Sequence, residues 1–224
     1  GSNFTVDNVE MVRGDMLDKE SLLTAFQGVD AVICTANGYM SGHTEIDTVG
    51  ANNLVDAVKA TGVKRYIYCS VLTAEKAVGV EHFEHKKMAE DYMKEQDIPF
   101  VALRPGGFID QADDYLGAGL KRGDPFCVSM WDKTVKIGMI YTPDLAELFV
   151  KAIEIPKDKC SIDVGWSRPV SMQEVASIIS AKVDRKIYCL GLPRFLRYAM
   201  IYTLGYWKPF VGELMVRMLV VCVS

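Results

Sequence analysis

The stretch HKKMAEDYMKEQDIPFVALRPGGFID (residues 85–110) places a helix candidate directly before a short apolar run and a glycine pair. The run FVALRP (100–105) has the length of a strand and is apolar nearly throughout. That pattern is typical of a strand covered on both faces of a sheet. A helix that leads into such a strand is the repeating unit of a parallel α/β sheet.

The same alternation extends along the chain. Four more runs have the length and composition of strands: VEMVRGD (9–15), DAVICTA (30–36), RYIYCS (65–70) and SIDVGW (161–166). Helix candidates are KESLLTAFQ (19–27) with Asp18 as its cap, IDTVGANNLVDAVKA (46–60) before Gly62, DLAELFVKAIE (144–154) behind Thr142 and Pro143, and a segment opened by the capping box Ser171 to Glu174. This order predicts one α/β domain, residues 3–224, with a doubly wound parallel sheet. From about residue 160 onward we expect a small, mostly helical lobe.

Charge and cysteine content exclude several classes of protein. The 224 residues carry a formal net charge of -4 and show no basic stripe, which argues against nucleic-acid binding. The six cysteines are scattered, lie mostly inside apolar runs and lack the spacing of a zinc site. We therefore expect buried, reduced thiols, no metal and a cytoplasmic location.

The tail FLRYAMIYTLGYWKPFVGELMVRMLVVCVS (195–224) is the most membrane-like part of the sequence. Its longest uncharged run, Tyr198–Trp207, has 10 residues, whereas a spanning helix needs roughly 20 apolar residues. Two interpretations stay open: helices that pack on the core or line a pocket, and an anchor on a membrane surface. A membrane-spanning segment is not expected.

On a helical wheel, residues 82–96 separate into two faces. The solvent face carries Glu84, Lys87, Asp91, Lys94 and Glu95, and the opposite face carries Met88, Ala89, Tyr92 and Met93 together with His85. Lys86 and His82 lie at the edge of the apolar face, with Glu90 one turn beyond Lys86. A lysine at such an edge either extends its amine to solvent without chemical function or serves an active site.

In combination, these segments resemble the atypical short-chain dehydrogenase/reductases of the NmrA-like and isoflavone-reductase-like kind, a NAD(P)-binding family. The matching motifs stand in the family's order. They are VRGDMLDKESLLTAFQGVDAVICTA (12–36), IDTVGANNLVDAVKATGVKRYIYCS (46–70), HKKMAEDYMKEQDIPFVALRPGGFID with its Arg-Pro-Gly-Gly turn, YTPDLAELFVKAI (141–153) and VSMQEVASII (170–179). The resemblance covers nearly the whole chain and implies a Rossmann-like fold, NADP or NAD as cofactor, and hydride transfer to a small apolar substrate.

Site residues are carried over from the family by position. Lys86 would be the active-site lysine on the nicotinamide ribose, and Ser70 and His82 would be the other catalytic candidates. The cofactor would be contacted by Asp15, Met16, Thr35, Ala36, Asn37, Gly38, Lys86, Pro105, Gly106, Gly107 and Phe108. The substrate pocket would be lined or covered by the late aromatic residues Phe195, Tyr198, Tyr202, Tyr206, Trp207 and Phe210.

Several of these residues have a plainer interpretation. Asp15 is equally a turn residue, Ser70 a strand-end hydroxyl, and the glycine pair a tight turn. His85, amid apolar neighbours, is expected in the core. Asp47 stands where many relatives carry asparagine, so its role toward a cofactor is doubtful.

The first departure from the family is His82, which stands four residues before Lys86, where a typical short-chain dehydrogenase has tyrosine. An imidazole with a pKa near about 6.5 could donate a proton at neutral pH. Many atypical members have no acid at this position.

The second departure is the start of the sequence. The family opens with a strand, a glycine-rich turn that holds the pyrophosphate, a helix and a second strand. No GxGxxG occurs in these 224 residues, and GAGLKRG (117–123) has Arg122 in place of the last glycine. We expect a fragment or shortened form, an N-terminal part outside this sequence, or a partner chain that completes the sheet.

Without those strands, segments 9–15 and 30–36 must pair directly, or the edge of 30–36 lies open. An open edge favours a homodimer or a partner chain that covers it. Three functions are compatible with the sequence: an NAD(P)H-dependent oxidoreductase, a non-catalytic dinucleotide-binding redox sensor, and a form without cofactor binding.

Overall fold

A computed structural model describes residues 9–38, 42–76, 80–110, 125–129, 132–191, 193, 195 and 199, with only the backbone of residues 127 and 128. The helices are α1 (Lys19–Ala25), α2 (Ala51–Thr61), α3 (Glu81–Glu95), α4 (Thr142–Ala152) and α5 (Met172–Lys182), and a π-helical turn, Ile46–Gly50, precedes α2. The strands are β1 (Ala31–Cys34), β2 (Arg65–Cys69), β3 (Phe100–Pro105), β4 (Gly107–Phe108), β5 (Phe126–Ser129), β6 (Lys136–Ile137), β7 (Met139–Ile140), β8 (Cys160–Val164), β9 (Val170–Ser171) and β10 (Tyr188–Gly191).

The main sheet contains four parallel strands in the order β1–β2–β3–β8. Neighbouring side chains of a strand point to opposite faces of the sheet. Tyr66, Tyr68 and Phe100 pack in one core with residues of α1, α2 and α3. Ile67 and Val101 pack in a second core with residues of α4. Helices cover both faces, which confirms the predicted doubly wound α/β sheet.

The helix boundaries follow the predicted capping residues. The Asp18 side chain accepts hydrogen bonds from two backbone N–H groups of the first turn of α1. Gly62 ends α2 in the left-handed conformation, with φ 72°. At the start of α5, Ser171 and Glu174 form both hydrogen bonds of the capping box.

Three two-stranded sheets accompany the main one: β4 with β7, β5 with β10, and β6 with β9. A third core joins Met139, Val170 and Ile187 with the buried side of α5. This core combines residues that precede β8 with residues that follow it, and a small lobe from about residue 160 stays a prediction. Most of the tail predicted to be helical lies outside the described residues.

The prediction of a strand at residues 9–15 is wrong. Residues 9–14 form no regular element, and Asp15 makes only an isolated bridge to Asp18. Val9, Met11 and Val12 are exposed, because no described strand lies beside them to share hydrogen bonds and cover their side chains. Within the described residues β1 pairs only with β2, so its other edge is open and Ile33 is 40% exposed.

The buried face of α3 differs from the helical-wheel prediction. Met88 was placed on the apolar face but is 61% exposed, whereas Lys86 and Glu90 are buried beside Ala89 and Met93. Charge compensation by other elements makes burial of these two polar residues possible. Among the described residues, no helix has both the length and the apolar character to cross a bilayer.

Candidate functional site

The carboxyl ends of the parallel strands meet at one edge of the sheet, where α/β proteins bind ligands. Ala36 follows β1, Ser70 follows β2, and Gly106 follows β3. Hydrogen bonds tie these ends together: the Ser70 N–H donates to Leu103 O at 2.8 Å, and the Leu72 N–H donates to Pro105 O at 2.9 Å. The N-terminal half of α3 lies over this edge and brings Lys86 to it.

The Lys86 ammonium is buried at this edge, with only 4% of its side chain exposed. Its Nζ lies 2.9 Å from Asp47 Oδ1 and donates to Ala36 O at 3.2 Å. It also lies 5.1 Å from the centroid of the Tyr68 ring, within the range of a cation–π contact. Lys86 is therefore neither a solvent-exposed lysine nor remote from the strand ends.

Asp47 connects the segment after β1 with α3. Its side chain is 2% exposed, and its Oδ2 accepts the Gly38 N–H at 3.0 Å. Asp47 lies in the π-helical turn, a distortion that is frequent at functional sites. The sequence left it doubtful whether Asp47 contacts a cofactor. In the structure, Asp47 forms an ion pair with Lys86.

Asp15 and Met16 lie beside the same π-helical turn. The Asn53 side chain donates to Met16 O at 2.9 Å, and a Cβ added at Gly50 would lie 3.0 Å from Met16 Cβ. Asp15 is exposed, and its carboxylate accepts the Leu17 N–H at 2.9 Å. These contacts form a turn, and the cofactor contact of Asp15 stays a prediction.

Ser70 belongs to a buried network centred on Glu90, which is 0% exposed. The Ser70 hydroxyl donates to Glu90 Oε1. The Arg104 Nε donates to Oε1 at 2.9 Å and its Nη2 to Oε2 at 2.6 Å. The Ser161 hydroxyl also donates to Oε2, at 2.6 Å. One carboxylate thus joins α3 to β3, to β8 and to the residue that follows β2.

The surroundings set the charge of Glu90 and of His82. Burial raises the pKa of Glu90, but the hydrogen bonds from Arg104, Ser161 and Ser70 outweigh it, and the pKa lies below its ordinary value. Burial, and after it the nearby Lys86 ammonium, lowers the pKa of His82. His82 is consequently neutral at pH 7, and proton donation from its imidazolium is confined to lower pH.

The glycine turn after β3 is held by backbone packing. A Cβ added at Gly106 would lie 2.3 Å from Gly138 O, so the close approach of two backbone segments requires glycine there. Gly107 is exposed, and its Cβ would meet nothing nearer than Gly138 O at 3.9 Å. Pro105 is buried and Phe108 half-buried beside them.

The other predicted site residues are only partly described. Thr35 and Asn37 are exposed, Ala36 is half-buried, and Gly38 is buried. Phe195 is 73% exposed; Tyr198, Tyr202, Tyr206, Trp207 and Phe210 lie outside the described residues, as does the segment 117–123. Cys34, Cys69, Cys160 and Cys189 carry no disulfide, and burial raises the pKa of the Cys69 thiol to about 11.

The sequence did not reveal the two charge pairs of this site. Arg104 stands inside the apolar run FVALRP, and a charged residue in a buried strand signals a buried partner. Glu90 follows Lys86 by one helical turn and therefore lies on the same edge of α3. These signals point to buried charges, but neither identifies the partner that meets each charge.

The sequence matches that of a known protein family. The profile of the NmrA-like family matches residues 2–207. The chain belongs to the NmrA-like family. The match confirms the resemblance inferred from the ordered motifs.

Three curated relatives are each 23% identical to the chain. A photosystem II assembly factor, Ycf39, of Trieres chinensis aligns over 218 residues, 92% of this chain and 66% of its own length. The sanguinarine reductase of Eschscholzia californica aligns over 221 residues, 77% of each chain. An uncharacterized chloroplastic protein of Arabidopsis thaliana aligns over 184 residues, 67% of this chain and 53% of its own length. The chain thus spans less than two thirds of the length of the first of these relatives.

Solved structures share the fold. One is the NADPH-dependent quinone oxidoreductase QOR2 of Escherichia coli, complexed with NADPH. It superimposes on this chain with a TM-score of 0.72 at 17% identity, and the superposition covers 95% of this chain and 74% of QOR2. The Citrobacter triphenylmethane reductase complexed with NADP(H) gives 0.72 at 20% identity over 94% and 72% of the two chains. Similarity at this level of identity confirms the Rossmann-like fold.

Proposed function

We propose that the chain is an NAD(P)H-dependent oxidoreductase of the NmrA-like family that acts on a small apolar substrate. The observation that carries the proposal is the buried Lys86 ammonium at the strand ends, held by Asp47 and Ala36 O. Reductases among the relatives and neighbours, and the dinucleotides bound in the solved structures, support it.

The residues present fit the ribose and nicotinamide end of a dinucleotide. An ammonium has three N–H donors, and among the described residues Lys86 meets two oxygen acceptors and one aromatic ring. The two oxygens take up two of these donors, and the third is left for a ligand hydroxyl, because the centroid of the Tyr68 ring, 5.1 Å away, is beyond hydrogen-bond distance. Exposed Gly107 leaves room for a flat ring beside the turn. No glycine-rich phosphate loop occurs in the 224 residues, so no residue is assigned to the pyrophosphate.

In this proposal each residue has a limited task. When bound, NAD(P)H supplies the hydride. Lys86 donates its remaining N–H to a ribose hydroxyl and so orients the nicotinamide beside the substrate. Ser70 offers its oxygen as an acceptor, because its hydrogen is directed to Glu90. Asp15, Met16, residues 35–38 and residues 105–108 line the cofactor, and the lobe after residue 160 contributes the substrate pocket.

A titration with NADPH, followed by its fluorescence, tests the cofactor, and NADPH-dependent reduction of menadione, a small apolar quinone, tests turnover. Lys86→Met should lower the rate of reduction at least about tenfold, because it removes a charge-assisted donor. Lys87→Met is the matched control, since Lys87 pairs with Asp91 on the solvent side of α3. Equal rates for both variants would contradict a role of Lys86 in the reaction.

A non-catalytic dinucleotide-binding sensor is the second candidate. It is favoured by the internal bonds of the two groups nearest the predicted reaction centre, Ser70 to Glu90 and Lys86 to Asp47, and by the neutral His82 in place of tyrosine. NADPH binding without turnover would support this candidate. The absence of binding would leave the third function, a form without cofactor.

Cellular location and assembly stay predictions. The cysteines favour a cytoplasmic location, whereas the uncharacterized Arabidopsis relative, which is named chloroplastic, favours the chloroplast. The open edge of β1 is the surface that a second copy or a partner chain would cover. Light scattering of the purified chain measures whether it self-associates.

A further inference from the structure

The carboxylate of Asp47 contacts two different parts of the chain, α3 and the segment after β1. Oδ1 lies 2.9 Å from Lys86 Nζ on α3, and Oδ2 accepts the Gly38 N–H at 3.0 Å from the segment after β1. Ala36 O, two residues before Gly38, accepts from the same Lys86 ammonium at 3.2 Å. Asp47 therefore determines where α3 and the segment after β1 stand relative to each other.

Gly38 packs closely against residues that precede Asp47. A Cβ added at Gly38 would lie 2.0 Å from His43 O and 2.7 Å from Ile46 Cβ. The His43 N–H donates back to Gly38 O at 2.9 Å. These contacts hold the Gly38 N–H beside the carboxylate that pairs with Lys86.

The pair also sets the charge at the site. Two opposite unit charges cancel, and both side chains are almost fully buried, so the attraction is weakly screened. An isolated buried ammonium would attract an anion or lose its proton. Because Asp47 already supplies the counter-charge, the Lys86 ammonium needs no anionic ligand to balance it.

We propose that Asp47 is a positioning and specificity-determining residue. It fixes the Lys86 ammonium at the end of β1 and cancels its charge, so the remaining N–H selects an uncharged hydroxyl or carbonyl of a ligand over a phosphate or carboxylate. This inference rests on the proposed function for the identity of the ligand, but the placement and charge of Lys86 can be tested without any cofactor.

The first measurement uses the wild-type chain. Lysines are acetylated with acetic anhydride, and mass spectrometry gives the rate at each position. Lys86 should react at least about tenfold more slowly than Lys64, whose side chain is 79% exposed. Equal rates at these two lysines would overturn the proposed placement even without a variant.

The second measurement separates hydrogen bonding from charge. Asp47→Asn keeps an oxygen for the Gly38 N–H but removes the negative charge, and Asp47→Ala removes both. Asp56→Asn is the matched control, because Asp56 also pairs with a lysine, Lys19, but both side chains are only partly buried. Amide exchange at Gly38 should stay slow in the asparagine variant and become faster in the alanine variant. Acetylation of Lys86 should accelerate about tenfold in both.

The third measurement tests charge selection with inorganic phosphate at constant ionic strength. Phosphate should raise the Tm of Asp47→Asn more than that of the wild type or of Asp56→Asn, since only the first has an unpaired ammonium that is buried; the Lys19 ammonium that Asp56→Asn leaves unpaired is 43% exposed. An equal rise in all three would overturn the charge-setting role. Unchanged Lys86 acetylation in both Asp47 variants would overturn the positioning role.

A titration with NADPH then distinguishes this inference from the proposed function. If the wild type binds NADPH, Asp47→Asn should weaken binding about tenfold while Asp56→Asn leaves it unchanged; unchanged binding in Asp47→Asn would overturn the specificity role. If the wild type binds neither NADPH nor NADH, the proposed function fails. The acetylation and phosphate results still decide the role of Asp47.

Discussion

At the scale of single residues, the site depends on buried charges that are each matched by a partner. Lys86 is matched by Asp47, and Glu90 by Arg104, with bond lengths between 2.6 and 2.9 Å. Removing one member of a buried pair leaves an unpaired charge, which costs more than the pair itself contributes. Substitutions in these pairs therefore affect stability as well as function.

Glu90→Gln tests the second pair. The variant keeps the shape of the side chain but leaves the Arg104 guanidinium without its buried counter-charge, so the free energy of unfolding should fall by about 3 kcal/mol. Glu147→Gln serves as the control, because its partner Lys151 is exposed, and should behave as the wild type. Urea unfolding followed by circular dichroism measures both. A Glu90→Gln variant as stable as the control would contradict the importance of the pair.

At the scale of elements, the end of β3 is held in place by close backbone contacts that require glycine. Gly106 approaches the Gly138 carbonyl so closely that no Cβ fits, and the Gly107 N–H donates to the same carbonyl oxygen at 2.9 Å. The turn after β3 therefore owes its position to the short segment between β6 and β7. A structural need for glycine at residue 106 exists whether or not a ring binds nearby.

Gly106→Ala and Gly107→Ala form a matched pair. The first places a methyl group 2.3 Å from Gly138 O, and the second places it 3.9 Å away. We expect Gly106→Ala to lower the free energy of unfolding by about 1–3 kcal/mol, the usual cost of overpacking. Gly107→Ala should leave stability unchanged but weaken NADPH binding if its open side receives the nicotinamide. Equal thermal stabilities of the two variants would contradict the close backbone approach.

At the scale of the whole molecule, stability should fall in two steps as the pH decreases. The folded-state pKa of His82 is depressed, so the unfolded chain binds more protons once the pH falls below about 6.5. The pKa of Glu90 is also depressed, and its contribution is lost below its unfolded value of about 4.3, as the pH falls through the folded-state pKa. Both shifts act in the same direction.

Urea unfolding between pH 8 and pH 2 measures this dependence. The wild type should lose stability as the pH falls below about 6.5 and again as it falls below about 4.3, by the linkage of protonation to unfolding. His82→Gln should lack the first step and Glu90→Gln the second. A wild-type stability that rises between pH 7 and pH 5 would contradict the assignment of His82, and one that rises as the pH falls below about 4.3 would contradict that of Glu90.

The sequence by itself determined the α/β alternation. Four of the five predicted strands and the capped helices were confirmed, because apolar runs, caps and glycine stops depend on local chemistry. The exception, residues 9–15, shows the limit of that reasoning. A strand needs a neighbour for its backbone hydrogen bonds, and no composition rule supplies one.

Only the tertiary structure decided which charges are buried. A helical wheel places Lys86 and Glu90 at the edge of α3, since it treats a charged side chain as a solvated one. Asp47 and Arg104, distant in sequence, meet them at the strand ends and make their burial possible. The chemistry of this edge therefore results from pairing across elements, which depends on the three-dimensional arrangement of the strands and helices.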